Sequence, residues 1–139
     1  MANNATRGRF VWHELMTPST ADAHAFYSKA LGWRIEPWEG DPSYAMFAAP
    51  SGPLGAAVAS TERAPHWVPY VSIPDIDATV QQALHLGASV VRPPTTIPNG
   101  SRYAVLSDPQ GAVFAIYESA ADLGPESAAR PGVPSLGAL

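Results

Sequence analysis

Apolar and polar side chains alternate along several short stretches of the chain, a period of two that is typical of β-strands. In the first stretch, residues 10–16, the even-numbered positions share one face and the odd-numbered positions share the other. Proline and glycine clusters separate these stretches, and a loop rich in proline and threonine is expected after residue 92. The pattern predicts strands over residues 10–16, 33–38, 44–49, 54–60, 67–73, 88–92, 102–106 and 112–118.

Two stretches have helical spacing instead, with apolar residues three and four positions apart. The first ends near residue 31, and Ser19 or Thr20 can cap its N-terminus. Asp75 is placed to cap a second helix over residues 76–86. The sequence therefore predicts two helices among eight strands.

The order of these elements occurs twice. Asp22 and Asp77 are 55 residues apart, as are Trp12 and Trp67, whereas the two prolines that end the first strand of each half are 56 apart. Such a repeat predicts an α+β fold of two tandem βαβββ modules whose concave seam holds a ligand. The predicted boundaries are an N-terminal extension at 1–9, module 1 at 10–60, a linker at 61–66, module 2 at 67–119 and a Pro/Gly-rich C-terminal tail at 120–139.

Composition narrows the possible partners. Hydrophobic residues make up 46% of the 139, the net charge is −4, and no block of Lys or Arg occurs, which argues against nucleic acid or a membrane surface as a partner. The chain has no cysteine, so it can have neither disulfides nor a thiol nucleophile. With no long apolar run and no apolar leader-like segment in residues 1–9, a soluble cytoplasmic protein is expected.

Three groups of residues carry a family resemblance: Phe26-Tyr27 followed by Leu31-Gly32-Trp33, the run at 71–77, and Asp-Pro-Gln-Gly-Ala at 108–112. With these motifs the chain resembles the vicinal-oxygen-chelate superfamily, which includes glyoxalase I, extradiol dioxygenases and bleomycin resistance proteins. The resemblance implies that the two modules form a cup-shaped, eight-stranded mixed sheet with the helices outside and a small-molecule cavity within.

The resemblance also implies a divalent metal held by His, Glu or Gln on the first and last strands of the modules. The corresponding positions here are Trp12, Val68, Ala115 and the stretch 55–57, none of which offers a ligand. The expected site therefore has no metal and no cofactor.

A shift of one residue would instead place His13 at the first ligand position, with Glu14, His66 and Glu118 nearby in sequence. Such a slip turns every side chain of the strand to the other face, and the face of residues 10, 12 and 16 would lose its burial. The one-residue shift nevertheless leaves an alternative open, a metal-dependent enzyme of glyoxalase, dioxygenase or lyase type with non-standard ligands. Otherwise His13, His66 and His85 are expected at the surface or rim, and His24 in solvent.

Strand alternation predicts the lining of the cavity if Trp12 and Val68 face it. Trp38 and Phe47 are further wall candidates, whereas Phe26 and Trp33 are expected to pack in the core. The expected ligand-binding residues are Trp12, Met16, Val68, Ser72, Tyr103, Val113, Ala115 and Tyr117.

Glu14 is the most informative of the cavity candidates. A carboxylate enclosed by apolar groups is costly to ionise, so its pKa would rise towards the range useful to a general acid or base. Glu14 and Tyr70 are therefore the candidate catalytic residues. Alternatively, Glu14 pairs with an arginine or a tyrosine hydroxyl and only ties the modules together.

Two functions fit this cavity. In one, the protein, expected to be a homodimer, sequesters an oxygenated, aromatic or cationic organic molecule, as bleomycin-resistance proteins do without metal. In the other, Glu14 with Tyr70 or Tyr117 moves a proton in a metal-independent isomerase, cyclase or lyase reaction. Phosphate-binding glycine loops and nucleophile-elbow motifs are absent from the sequence.

Overall fold

The computed structural model describes residues 6–120, which form eight strands and two helices. The predicted tail lies outside the described residues, apart from Ala120. In chain order the elements are β1 (Phe10–Thr17), α1 (Thr20–Leu31), β2 (Arg34–Trp38), β3 (Asp41–Ala49), β4 (Gly52–Ala59), β5 (His66–Ser72), α2 (Ile76–His85), β6 (Ser89–Thr96), β7 (Arg102–Ser107) and β8 (Val113–Glu118).

All eight strands belong to one mixed sheet, in the order β2-β3-β4-β1-β5-β8-β7-β6. At its centre β1 and β5 run antiparallel, with Trp12 opposite Tyr70 and Glu14 opposite Val68. Each central strand also pairs in parallel with the last strand of its own module, β1 with β4 and β5 with β8. The predicted α+β class and eight-stranded mixed sheet are confirmed.

Both helices begin at the predicted caps. Ser19 accepts a hydrogen bond from the Asp22 N–H at 3.1 Å, and Asp75 accepts one from the Ala78 N–H at 3.0 Å. Such caps satisfy N–H groups that have no partner within the helix. Gly32, with φ at +74°, ends α1 in the left-handed conformation that glycine adopts most easily.

The helices cover one face of the sheet. Ile76 and Val80 of α2 pack against Leu106 and Ile116, and Ala23 of α1 packs in an equivalent cluster under the first module. A third cluster lies on the opposite face. It contains Trp12, Ala56, Val68, Tyr70, Ala115 and Tyr117. The sheet thus keeps one face for the helices and leaves the other for a cavity.

Close approach of β1 to β4 depends on a glycine. A Cβ atom on Gly55 would collide with the backbone oxygen of His13, its partner across the parallel strands. The two small residues that follow it in β4, Ala56 and Ala57, are buried.

The 55-residue spacing of the two tryptophans is not the structural repeat. Both β1 and β5, and likewise α1 and α2, begin 56 residues apart. One residue of difference reverses the face of a strand, so Trp12 lies on the cavity face whereas Trp67 packs beside Leu15 beneath α1. Pro18 and Pro74, with their spacing of 56, mark the correct equivalence.

Several local expectations were wrong. Phe26 is 60% exposed, because α1 turns Ala23 and Tyr27 towards the sheet instead; Trp33 does pack there. Phe10 is 64% exposed, since the pairing of β1 with β5 shifts register just after it. His24 is not in solvent: its ring meets Phe47 edge-on at 5.7 Å, and its Nε2 is buried.

The segment boundaries also differ from the sequence interpretation at three places. Strand β6 continues through the expected loop to Thr96, and β5 already begins at His66 in the expected linker. The end of the N-terminal extension is tied to the sheet, because the Gly8 N–H donates to the Ser72 carbonyl at 2.8 Å. Within residues 6–120, neither helix has the length and apolar character needed to cross a membrane.

Candidate small-molecule cavity

A cavity of about 880 Å³ opens on the sheet face opposite the helices. Its volume lies within the range usual for sites that take small organic molecules. Both modules contribute to it, since its lining runs from β2 and β3 at one edge of the sheet to β6 and β7 at the other. Apart from three prolines, the apolar and aromatic part of its lining comprises Trp12, Met16, Trp38, Tyr44, Met46, Val58, Val68, Tyr70, Val91, Ile97, Tyr103, Val105, Val113 and Tyr117.

The Glu14 carboxylate, which lines this cavity, holds two tyrosines by hydrogen bonds. The Tyr70 hydroxyl donates to Oε1 at 2.7 Å, and the Tyr44 hydroxyl donates to Oε2 at 2.5 Å. The Tyr44 oxygen in turn accepts the indole N–H of Trp12 at 2.9 Å. Side chains of β1, β3 and β5 therefore form one network across both modules.

Burial raises the pKa of Glu14, because enclosure by protein disfavours the charged form. The hydrogen bonds from Tyr44 and Tyr70 and the charge of Arg92 lower this pKa, but the effect of burial is larger. Burial, followed by the charge of Glu14, raises the pKa of both tyrosines well above 10.0. At neutral pH the two phenols are therefore hydrogen-bond donors, and the titrating group of the network is Glu14.

Most of the residues expected at the site do lie along this cavity. Ser72 and Ala115 do not: Ser72 is buried beside Thr6, with their hydroxyl oxygens 3.3 Å apart, and Ala115 is fully buried within the cluster beneath the cavity. Phe47 is buried with α1 on the other face, whereas Trp38 forms a wall. The residues brought together are Trp12, Glu14, Met16, Val68, Tyr70, Tyr103, Val113 and Tyr117.

Tyr44 is the main residue that the sequence reasoning missed. It lies on β3 with Met46, on the face opposite Phe47, so the correct facing of Phe47 alone would have revealed both. Arg92 was also missed, because the strand that carries it was expected to end there.

The superfamily's metal does not fit these residues. Within residues 6–120 no three His, Cys, Asp or Glu side chains come together as a metal-binding group. His13 is exposed on β1, which carries the neighbouring Trp12 and Glu14 on its cavity side. Glu118 accepts the Ile76 N–H at 3.0 Å, at the start of α2 and away from the cavity. The non-standard ligand set considered above is therefore not assembled.

Charge is distributed unevenly around the cavity mouth. The edge formed by the β2–β3 hairpin carries Glu36, Glu39 and Asp41, and the linker between β4 and β5 adds Glu62 and Arg63. At the opposite edge of the sheet, β6 contributes Arg92. His66 also lines the mouth, as expected of a rim residue, with Nδ1 2.7 Å from the Ala64 carbonyl oxygen.

Comparison with known proteins agrees with this architecture. The model of the glyoxalase-like domain family matches residues 12–117. The chain belongs to that family. It is thus a glyoxalase-like domain of the vicinal-oxygen-chelate superfamily, as the motifs suggested.

Relatives of this glyoxalase-like domain include "Putative glyoxylase CFP32" of Mycobacterium tuberculosis, 33% identical over 117 residues, which are 81% of this chain and 45% of the relative. "Anthracycline biosynthesis protein DnrV" of Streptomyces peucetius is 36% identical over 118 residues, covering 80% and 42% of the two chains. The domain thus spans less than half the length of these curated relatives.

Solved structures share the fold. A hypothetical protein from Bacillus halodurans has a TM-score of 0.59 at 16% identity, with 81% of this chain and 94% of that chain covered. Methylmalonyl-CoA epimerase from Mycobacterium tuberculosis has a TM-score of 0.58 at 17% identity, covering 88% and 95%. At these identities the likeness concerns the fold alone.

Proposed function

We propose that this glyoxalase-like domain binds a small oxygenated or aromatic organic molecule in the cavity described above. The observation that carries the proposal is the Glu14 carboxylate, held by two tyrosines within a largely apolar cavity of about 880 Å³. Aromatic walls supply contact area, and a few fixed polar groups orient a guest. A relative named for anthracycline biosynthesis and a structural neighbour solved with methylmalonyl-CoA support a small organic guest.

The raised pKa of Glu14 in the same network supports a second function, acid–base catalysis without a metal. Burial raises the pKa of Glu14, which brings the carboxylate closer to the neutral range where a general base is most effective. Tyr70 remains a neutral donor beside it. An isomerase, cyclase or lyase step would have Glu14 take a proton from the guest, while the hydrogen bond from the Tyr70 hydroxyl holds the carboxylate in position.

Thermal unfolding with a panel of hydroxylated naphthoquinones and anthraquinones tests the binding function. A true ligand at 100 times its Kd adds about 2.7 kcal/mol to the free energy of unfolding. Trp12→Ala should weaken the binding of any ligand that the native domain takes, since it removes a wall and the hydrogen bond that steadies Tyr44. The proposal fails if no compound in the panel stabilises the domain, or if Trp12→Ala leaves the affinity unchanged.

Glu14→Gln separates binding from catalysis, because the amide keeps the size of the side chain but cannot act as a base. Retained affinity with lost turnover would support catalysis, whereas a change in affinity alone would support sequestration. Glu118→Gln is the matched control, since it alters another enclosed glutamate on the other face of the sheet.

A further inference from the structure

Two hydrogen-bond donors at one edge of the cavity have no acceptor in the described part of the chain. Arg92 on β6 and Tyr103 on β7 both line the cavity. Among residues 6–120, Arg92 enters none of the ion pairs, which involve only Arg34 and Arg102 as cations. The Tyr103 hydroxyl likewise has no hydrogen bond there, although its ring lies 6.0 Å from that of Tyr70.

The other two cavity phenols differ from Tyr103 in this respect. Tyr44 and Tyr70 both donate to Glu14, so their protons are already used within the protein. Burial raises the pKa of Tyr103, and its hydroxyl therefore keeps its proton at neutral pH. Tyr103 can thus donate to a guest without breaking an existing bond.

The charge of Arg92 reaches into the cavity. Arg92 is an exposed residue of the cavity lining, and its positive charge lowers the pKa of both Glu14 and Tyr103. Three of the four acidic side chains of the mouth come instead from the β2–β3 hairpin, at the far edge of the sheet, where Glu36 is already paired with Arg34 at 2.8 Å; the fourth, Glu62, is next to Arg63 in sequence. The cavity is therefore polarised, with its positive end at β6 and β7.

Building on the proposed function, we propose that Arg92 and Tyr103 form a subsite for an acidic oxygen of the guest, such as a carboxylate, enolate or phenolate. A guanidinium presents several N–H donors in a plane and suits such an oxygen better than a neutral one. The apolar part of the guest then lies against Trp12 and the β3 side of the cavity. This polarity gives the guest one orientation relative to Glu14.

The test compares two probes of nearly the same shape, 2-naphthoate and its neutral amide, 2-naphthamide, by isothermal titration. The native domain should bind the carboxylate about tenfold more tightly than the amide, as expected for a hydrogen bond to a charged group. Arg92→Gln should abolish this preference while changing the affinity for the amide little. Tyr103→Phe, which keeps the aromatic wall, should reduce the preference only in part.

Arg9→Gln is the matched control, because Arg9 is an exposed arginine that does not line the cavity. It should leave the preference unchanged, and raising the salt concentration should weaken the preference in the native domain. Equal binding of both probes, or a preference that survives in Arg92→Gln, overturns the subsite and leaves the proposed function intact. Failure of both probes to bind the native domain counts against the proposed function and the subsite together.

Discussion

The hydroxyl of Tyr70 on β5 donates to Oε1 of Glu14 on β1 at 2.7 Å. The two strands run antiparallel at the centre of the sheet, and the bond joins one module to the other. The same carboxylate accepts a second hydrogen bond from the Tyr44 hydroxyl of the first module. Glu14 thus does tie the two modules together, and the hydrogen bond that does so lies within the cavity.

Stability should depend on pH through Glu14. Burial raises its pKa above the ordinary value of 4.5, so the folded protein holds the proton more tightly than the unfolded chain. Its contribution to stability is fully present below that ordinary value and is lost as the pH rises through the raised pKa.

Glu14→Gln is neutral at every pH and removes this loss. Urea unfolding at a series of pH values should show the native protein losing free energy of unfolding relative to the variant as the pH rises from about 4.5 towards neutrality. Glu39→Gln, at an exposed position of the cavity mouth, controls for the loss of one negative charge. A constant difference between native protein and Glu14→Gln would contradict the argument.

Tyr70→Phe should destabilise the fold by about 1–2 kcal/mol, because Glu14 loses a hydrogen bond in an enclosed place. The variant keeps the ring that packs with Trp12 and Tyr117. Tyr103→Phe removes a hydroxyl that has no partner among residues 6–120, and its effect on stability should be much smaller. Equal losses for the two variants in chemical denaturation would show that the Tyr70 bond contributes nothing specific.

Glu118 should matter for the fold and not for the cavity. Its buried carboxylate accepts the Ile76 N–H at 3.0 Å, and Glu118→Ala would leave that N–H without its partner, at a cost of about 1–2 kcal/mol. Glu36→Ala breaks an exposed ion pair with Arg34 and should cost less than about 1 kcal/mol. Thermal unfolding measures both, and a loss of probe affinity in refolded Glu118→Ala would contradict its assignment to the helix side.

Two glycines should differ in their tolerance of alanine. In Gly55→Ala the new Cβ meets the His13 backbone, and relieving the clash must move β1 or β4, at about 1–3 kcal/mol. In Gly40→Ala the new Cβ meets the far end of the Trp38 indole, 2.6 Å away, which can rotate aside. Chemical denaturation should therefore show the larger loss for Gly55→Ala; the reverse order would refute the explanation.

Removal of metal should change neither stability nor probe binding. The prediction follows from the side chains at the expected ligand positions, Trp12, Val68 and Ala115, and from the lack of a ligand cluster within residues 6–120. Dialysis against a chelator, followed by thermal unfolding with and without added divalent ions, is the measurement. A lower melting temperature that one particular ion restores would contradict it.

The alternation of apolar and polar residues predicted the face of each side chain correctly wherever a strand is regular. A period of two placed Trp12, Glu14 and Met16 together, and the same rule placed Val68 with Tyr70. It failed for Phe10, where a register shift interrupts β1. It also assigned to the cavity Ser72, at the end of β5, and Ala115, which is fully buried although Val113 and Tyr117 on either side line the cavity. Alternation fixes the face of a residue, but it does not tell which neighbours will cover that residue.

The remaining errors concern tertiary contacts that no local pattern reports. Pro93 and Pro94 read as a loop, yet an outer strand tolerates prolines because one side of its backbone needs no partner. The sequence analysis missed Arg92 as a cavity residue for that reason. Similarly, the wall that Tyr44 forms depends on how β3 pairs with its neighbours, and its bond to Glu14 spans 30 residues of sequence.

The 56-residue offset has a consequence for the symmetry of the cavity. It makes Glu14 and Tyr70 counterparts, because each is the fifth residue of the first strand in its own module. Had the copies remained identical, the centre would hold either two acids that repel one another or two phenols with no acid between them. A donor faces an acceptor only because the two modules differ at this position, so the sequence difference between the modules gives the cavity a direction.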